Sequence, residues 1–218
     1  MCTMILYGLE GSGNSYKARL LLDFLGLSFE KREPVVHPAD EQFLRINPLG
    51  QVPVLIDTSV TSAGNEGLIV RDSNAILVYL ALKYDSASSW YPVVDPIVAS
   101  KIAQWMSYAS HEVTDSLLWV RIKNRFSWDI PVAYEEALNR SRKVLAHLND
   151  ELSASEASGY KWVATKEHPS IADIALFPYV AFTETSSSGA LSLAEYPAVV
   201  AWIDRVKALP NFSPMPPF

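Results

Sequence analysis

Residues 46–57 read INPLGQVPVLID and set Pro53 directly against an apolar run. A proline gives up one ladder donor and is tolerated in a sheet only at a strand start, an edge or a bend, so a strand over 53–56 is expected to begin at a specialised corner. An X-Pro bond is also the one place where a cis peptide costs little, about 0.5–1 kcal/mol against trans. A cis bond between Val52 and Pro53 would turn the Val52 amide and carbonyl off the sheet, open to an extended, peptide-like ligand. On local sequence alone the trans form is the expectation, because cis is the minority isomer.

Around that corner the apolar pattern alternates between strand and helix. Residues 3–7 form a short β-prone run ending at Gly8, and the polar loop GLEGSGN follows. From Ser15 onward, Ala18, Leu21, Leu22 and Leu25 recur at helical spacing, with Gly26 where a C-terminal cap is expected. Ser12, Asn14 and Ser15 are all capping residues by type. A second strand is expected over 29–36, then a short helix over 39–46 that must stop before Pro48. After the polar turn TSVTSAGNEG, a strand over 68–70 should return antiparallel to 53–56. Asp72 and Ser73 stand as caps before a helix carrying Ala75, Ile76, Val78, Tyr79, Leu80 and Leu82. Two parallel strands with a crossover helix, followed by a hairpin and a covering helix, make residues 1–84 an α/β domain.

Residues 85–96 gather Ser, Pro and Asp and read as a linker. Beyond it the pattern is helical only, over 97–126, 132–152, 171–183 and 198–209, so 97–218 reads as an all-helical domain. Ser170-Ile-Ala-Asp173 has the form of a capping box, which assigns Asp173 to folding. The tail PNFSPMPPF cannot continue a helix.

A net charge of −6 argues against binding a phosphate backbone, which leaves nucleic acid off the list of partners. No window approaches the roughly 18 apolar residues of a membrane span, and the N-terminus lacks a basic flank, so a cytoplasmic protein without a membrane partner is expected. The Asn-x-Ser/Thr triplets at Asn139 and Asn211 are then chance matches. Cys2 is the one cysteine, so any thiol chemistry must use a sulfur brought by another molecule. His37, His111, His147 and His168 lack ligand spacing, and no metal is expected. The GSG triplet lacks the glycine spacing and acidic partner of a dinucleotide fingerprint.

The segment from Asn47 through Pro48, Gly50, Val52 and Pro53 to Leu55, the run Asp72-Ser73-Asn74-Ala75-Ile76 with Tyr79-Leu80, the Ser170/Asp173 box and the terminal YPAVVAWIDRVKALPNF lie in one order over nearly the whole chain. Together they resemble the cytosolic glutathione transferase superfamily, and within it the serine/asparagine-type bacterial or fungal members. The resemblance implies an α/β N-terminal thioredoxin-like domain followed by an all-α helical C-terminal domain, with the Val52–Pro53 bond cis. It also implies glutathione as co-substrate, which supplies the sulfur that Cys2 does not. The implied activity is conjugation of glutathione to small hydrophobic electrophiles in detoxification. Glutathione-dependent isomerases, etherases and disulfide reductases share the fold, as do non-catalytic interaction or ligand-binding modules. A homodimer is implied as well, the first domain of one subunit against the helical domain of the other.

That chemistry needs a glutathione thiolate at neutral pH, where a thiol of pKa about 8.5 is mostly protonated. Lowering it by about two units takes about 2.7 kcal/mol, which one good donor and a helix N-terminus can supply. Ser12 aligns with the family's catalytic serine and is the first choice, with Asn14 and Ser15 beside it; each is equally readable as a plain cap. Tyr7 falls one residue before the family tyrosine position, which Gly8 occupies, and is expected in the core. The resemblance further implies that the Val52 backbone pairs with the cysteinyl unit, that Asp72 and Ser73 hold the γ-glutamyl end, and that Gln51 and His37 reach the glycyl end. An electrophile pocket is expected between the domains, with Trp105, Ser107, Tyr108 and His111 as candidate lining residues.

Overall fold

The computed structural model describes residues 3–60 and 67–215. Cys2, residues 61–66 of the polar turn and residues 216–218 of the tail lie outside the described residues. The chain divides into two units, one of residues 1–87 with 209–218 and one of residues 88–208.

In the first unit, β1 (Met4–Tyr7) pairs parallel with β2 (Glu30–Arg32) and antiparallel with β3 (Val54–Asp57), and β3 pairs antiparallel with β4 (Leu68–Arg71). The strand order is β2-β1-β3-β4. The crossover between β1 and β2 is α1 (Gly13–Phe24), α2 (Glu41–Ile46) precedes β3, and α3 (Ser73–Tyr84) follows β4. This is the thioredoxin-like arrangement, a mixed four-stranded sheet. Met4 and Leu6 of β1, Val54 and Leu55 of β3, Leu20 to Leu22 of α1, and Ile76, Leu77 and Leu80 of α3 make its core.

Register decides what this unit can do. Tyr7 stands opposite Val54 and also opposite Arg32, and Val54 stands opposite Arg71. The chain therefore leaves β1, β2 and β4, and enters β3, at one end of the sheet. The loop 8–12, the corner 51–53 and the α3 N-terminus are brought to that end by pairing alone.

β2 is three residues long, shorter than the 29–36 run suggested, and all three are exposed. Val35 and His37 are exposed too, so the later part of that run has no face to bury and stays out of the sheet. Tyr7 is half-buried rather than core, stacked on Phe43 at 5.9 Å, and its hydroxyl accepts from Arg32 at 2.9 Å.

The tail 209–215 lies along α1. Tyr16, 2% exposed, donates its hydroxyl proton to the Ser213 carbonyl at 2.7 Å. Arg19 donates to the Pro214 carbonyl at 3.2 Å, and Phe24 meets Phe212 with ring centroids 6.5 Å apart.

The regular elements of the second unit, among the described residues, are all helical: α4 (Pro96–Ser110), α5 (Trp119–Phe126), α6 (Tyr134–Ala157), α7 (Ile171–Ala181), α8 (Thr183–Ser186) and α9 (Pro197–Lys207). The single helix expected over 97–126 is interrupted by a turn at 111–113 and a π-helical turn, Thr114–Leu118. Hydroxyls compete for carbonyls there: Thr114 donates to Ala109 and Ser116 to Glu112, at 3.2 and 2.5 Å. Asp173, fully buried, accepts from the Ser170 amide at 2.8 Å, the Ser170 hydroxyl at 3.0 Å, the Val163 amide at 3.2 Å and the Trp202 indole at 2.9 Å. One carboxylate thus ties the start of α7 to the preceding loop and to α9. No helix among the described residues is long and apolar enough to cross a membrane.

Candidate functional site

At the sheet end where these connections meet, Ser12 caps α1: its backbone is extended and its Oγ accepts from the Ser15 amide at 3.2 Å. That bond uses a lone pair and leaves the hydroxyl proton, for which no acceptor stands among the described residues. Asn14 sits in the first turn. Its Oδ1 accepts from the Ser73 hydroxyl at 3.4 Å, and its Nδ2 protons likewise have no acceptor among the described residues.

Ser15 is placed differently. It is 5% exposed, its hydroxyl accepts from the Leu9 amide at 3.2 Å, and it borders a cavity of about 20 Å³, the room of one water, lined also by Leu6, Tyr16 and Arg19. A Cβ added at Gly8 would come within 2.9 Å of the Ser15 Cβ. The loop after β1 lies tightly over Ser15, which holds it down.

Across the corner, the Val52–Pro53 bond is cis, as the motif resemblance implied and against the expectation from local sequence. Asn47, buried, donates from Nδ2 to the Gln51 carbonyl at 2.7 Å and accepts from the Leu49 amide at 3.3 Å. Gln51 is exposed and Val52 half-exposed, so the corner faces solvent while Pro53 packs inward. His37 lies in the exposed loop after β2 and its bond to Pro38 is also cis, which nothing in the sequence reading singled out.

Asp72 caps α3 from a left-handed backbone, φ 76° and ψ 134°, an unusual conformation for a residue with a side chain. Its Oδ1 accepts from the Asn74 and Ala75 amides at 2.9 and 3.0 Å. The next residue, Ser73, is 5% exposed. Two helix N-termini, α1 and α3, are thus joined through Ser73 and Asn14, each carrying the positive dipole end that suits an anion.

One residue of this region escaped the sequence reading. Lys17 of α1 is 2% exposed, and burial pulls its ammonium pKa down to about 8 although Asp72 draws it upward. The signal available was a lysine set into the helical apolar pattern Tyr16, Ala18, Leu20, Leu21, where a surface charge does not belong.

The candidate lining residues of the helical unit separate. Trp105 is buried in a ring cluster with Tyr108 and His147, centroids 5.4 and 5.9 Å away. Tyr108 donates to the Val144 carbonyl at 3.4 Å, and exposed His111 pairs with Asp115 at 3.1 Å. Tyr108 and His111 line a cleft of about 530 Å³ together with Arg140, Lys143 and His147, while Ser107 is exposed and Trp105 does not border that cleft. Among the described residues no group of three or more His, Cys, Asp or Glu side chains is placed to hold a metal ion.

The Glutathione S-transferase, N-terminal domain, family model matches residues 2–82, and the Glutathione S-transferase, C-terminal domain, model matches residues 131–205. Elongation factor 1-gamma 3 of Oryza sativa subsp. japonica is 31% identical over 157 residues, covering 70% of this chain and 35% of that protein, so the chain spans about a third of that relative's length. Glutathione S-transferase sirG of Leptosphaeria maculans is 25% identical over 213 residues, 95% of this chain and 88% of the relative. A crystal structure of a glutathione S-transferase from Xanthobacter autotrophicus Py2 aligns over 98% of this chain and 97% of its own, with a TM-score of 0.79 at 29% identity.

Proposed function

This chain belongs to the glutathione S-transferase superfamily, and on that premise we propose that its first domain, residues 1–84, binds glutathione as co-substrate and directs the glutathione thiolate at small hydrophobic electrophiles. The observation that carries the reading is the pair of uncommitted donors, the Ser12 hydroxyl and the Asn14 carboxamide, at the first turn of α1. A thiolate set there meets one or two hydrogen-bond donors and the positive end of the helix, the combination needed to lower a thiol pKa. Ser12 is the primary thiol donor and Asn14 the second. The site is of the serine/asparagine type, because the position a tyrosine would need is Gly8, where even a Cβ collides with Ser15. Ser15 belongs to the same constellation as the residue that fixes the loop.

The remaining contacts follow from chemistry. The Val52 backbone, beside Pro53, is the hydrogen-bonding edge for the cysteinyl unit. The Ser73 end of α3 takes the γ-glutamyl carboxylate, and Asp72 takes its ammonium. Gln51 and His37 serve the glycyl end. The protein works as a cytoplasmic homodimer in detoxification.

A relative named for elongation rather than for transfer supports a second reading, a module that uses this fold for interaction without turnover. Retention on immobilised glutathione together with turnover of a generic aryl halide separates the two. Both are expected; absence of both favours the interaction module, and retention without turnover points to an isomerase, etherase or disulfide reductase.

A further inference from the structure

Lysines are rarely buried outright, and Lys17 is 2% exposed in the helix that carries the thiol donors. It lies three residues after Asn14, so the two side chains leave α1 on one face. That face packs on α3, since α1 and α3 pack together and Asn14 takes the Ser73 proton. The charged group that acts on Lys17 from α3 is Asp72. The other charges nearby on the two helices are engaged elsewhere: Arg19 and Asp23 with the tail at Pro214 and Ser213, and Lys83 with Asp57 at the far end of α3.

Asp72 alone would make this corner attract an ammonium and repel a carboxylate. A γ-glutamyl group presents both on one carbon, so the site needs a positive charge near Asp72 that the ligand's ammonium does not have to displace. We propose that Lys17 is a specificity-determining positioning residue, the buried counter-charge to Asp72 that lets the corner accept the α-carboxylate as well as the α-ammonium of a γ-glutamyl ligand. This rests on the glutathione reading given above. It assigns Lys17 no contact with the reacting sulfur. At neutral pH the ammonium is charged, and just above its pKa of about 8 that charge is withdrawn.

The test compares two thiol-free probes by calorimetry: S-methylglutathione, and its analogue with hydrogen in place of the α-carboxylate. Lys17→Met keeps the length and apolar bulk of the side chain without its charge. At about pH 7 it should bind S-methylglutathione about tenfold more weakly while the analogue changes by less than about twofold. In the unaltered protein, once each probe's own amine titration is measured and allowed for, raising the pH from about 7 to about 9 should erode the preference for S-methylglutathione over the analogue, and this arm needs no substitution to fold. Equal loss for both probes in Lys17→Met, or a preference that stays flat across that pH range, overturns the proposal and leaves Lys17 a packing residue. If the unaltered protein binds neither probe, the glutathione reading falls, and the Lys17 proposal with it.

Discussion

The Ser73 hydroxyl donates to the Asn14 carboxamide oxygen at 3.4 Å, across 59 residues of sequence. Both residues stand in the first turn of a helix, so this bond links two dipole ends and orients the Asn14 amide protons away from α3. It exists because β1, β3 and β4 are registered to deliver α1 and α3 to the same end of the sheet.

Ser73→Ala should therefore act on two quantities at once. Asn14 loses its anchor and the γ-glutamyl ammonium loses the Ser73 oxygen as an acceptor, so glutathione affinity is expected to fall about tenfold. Ser12→Ala should leave affinity nearly intact and lower the conjugation rate by about tenfold to a hundredfold, roughly 1.4–2.7 kcal/mol of barrier. Separate determination of KM and kcat for the two variants distinguishes these effects. A collapse in rate at Asn14→Ala with none at Ser12→Ala would move the primary donor two residues along the helix.

Gly8→Ala tests the packing of the donor loop. The new Cβ would stand 2.9 Å from the Ser15 Cβ, a backbone-rooted atom that cannot swing aside. Loss of about 1–3 kcal/mol in denaturant unfolding is expected, the usual range for overpacking, together with reduced turnover. Unchanged stability and turnover would show that the loop has slack which its geometry denies.

Asp57 provides the pH signature of the first unit. Burial pushes its carboxyl pKa up, but hydrogen bonds from Ser59, Tyr79 and Tyr84 outweigh burial and hold it well below the usual carboxylate range. A folded-state pKa below the unfolded value near 3.9 means the stabilisation is complete above about pH 4 and drains away as the pH falls below that. Asp57→Asn should cost about 2 kcal/mol at neutral pH, and the gap to the unaltered protein should narrow in urea titrations below about pH 4. A gap that is constant with pH would place the effect in packing alone.

Asp173→Ala removes four hydrogen bonds at once and strands the Trp202 indole and the Val163 amide inside the helical unit. A loss of about 3 kcal/mol or more is expected by thermal or denaturant unfolding, with glutathione affinity unchanged in the folded fraction. Normal stability in this variant would contradict the folding role.

The strand-helix alternation to residue 84 and the helical pattern beyond were legible because apolar periodicity is a local signal, as in the recurrence of Ala18, Leu21, Leu22 and Leu25. Asp173 was legible for the same reason, its box being four residues long. The break at Thr114–Leu118 was not, because it comes from hydroxyls reaching carbonyls within a stretch of unbroken helical pattern. The Val52–Pro53 isomer was decided by motif rather than by local chemistry, and cis His37–Pro38 carried no motif to announce it. Lys17 shows the other limit. The apolar residues on either side of it mark the position as buried, but which charge lies near it, Asp72, emerges only once α1 is packed on α3.

The most direct measurement of the central claim is the ionisation of glutathione in complex with the protein, followed by thiolate absorbance against pH. A midpoint near pH 6.5 is expected, about two units below the free thiol, rising by about one unit in Ser12→Ala. A bound thiol that titrates at the value of free glutathione, in a protein that still binds it, would mean that Ser12 and the α1 N-terminus do not stabilise the thiolate.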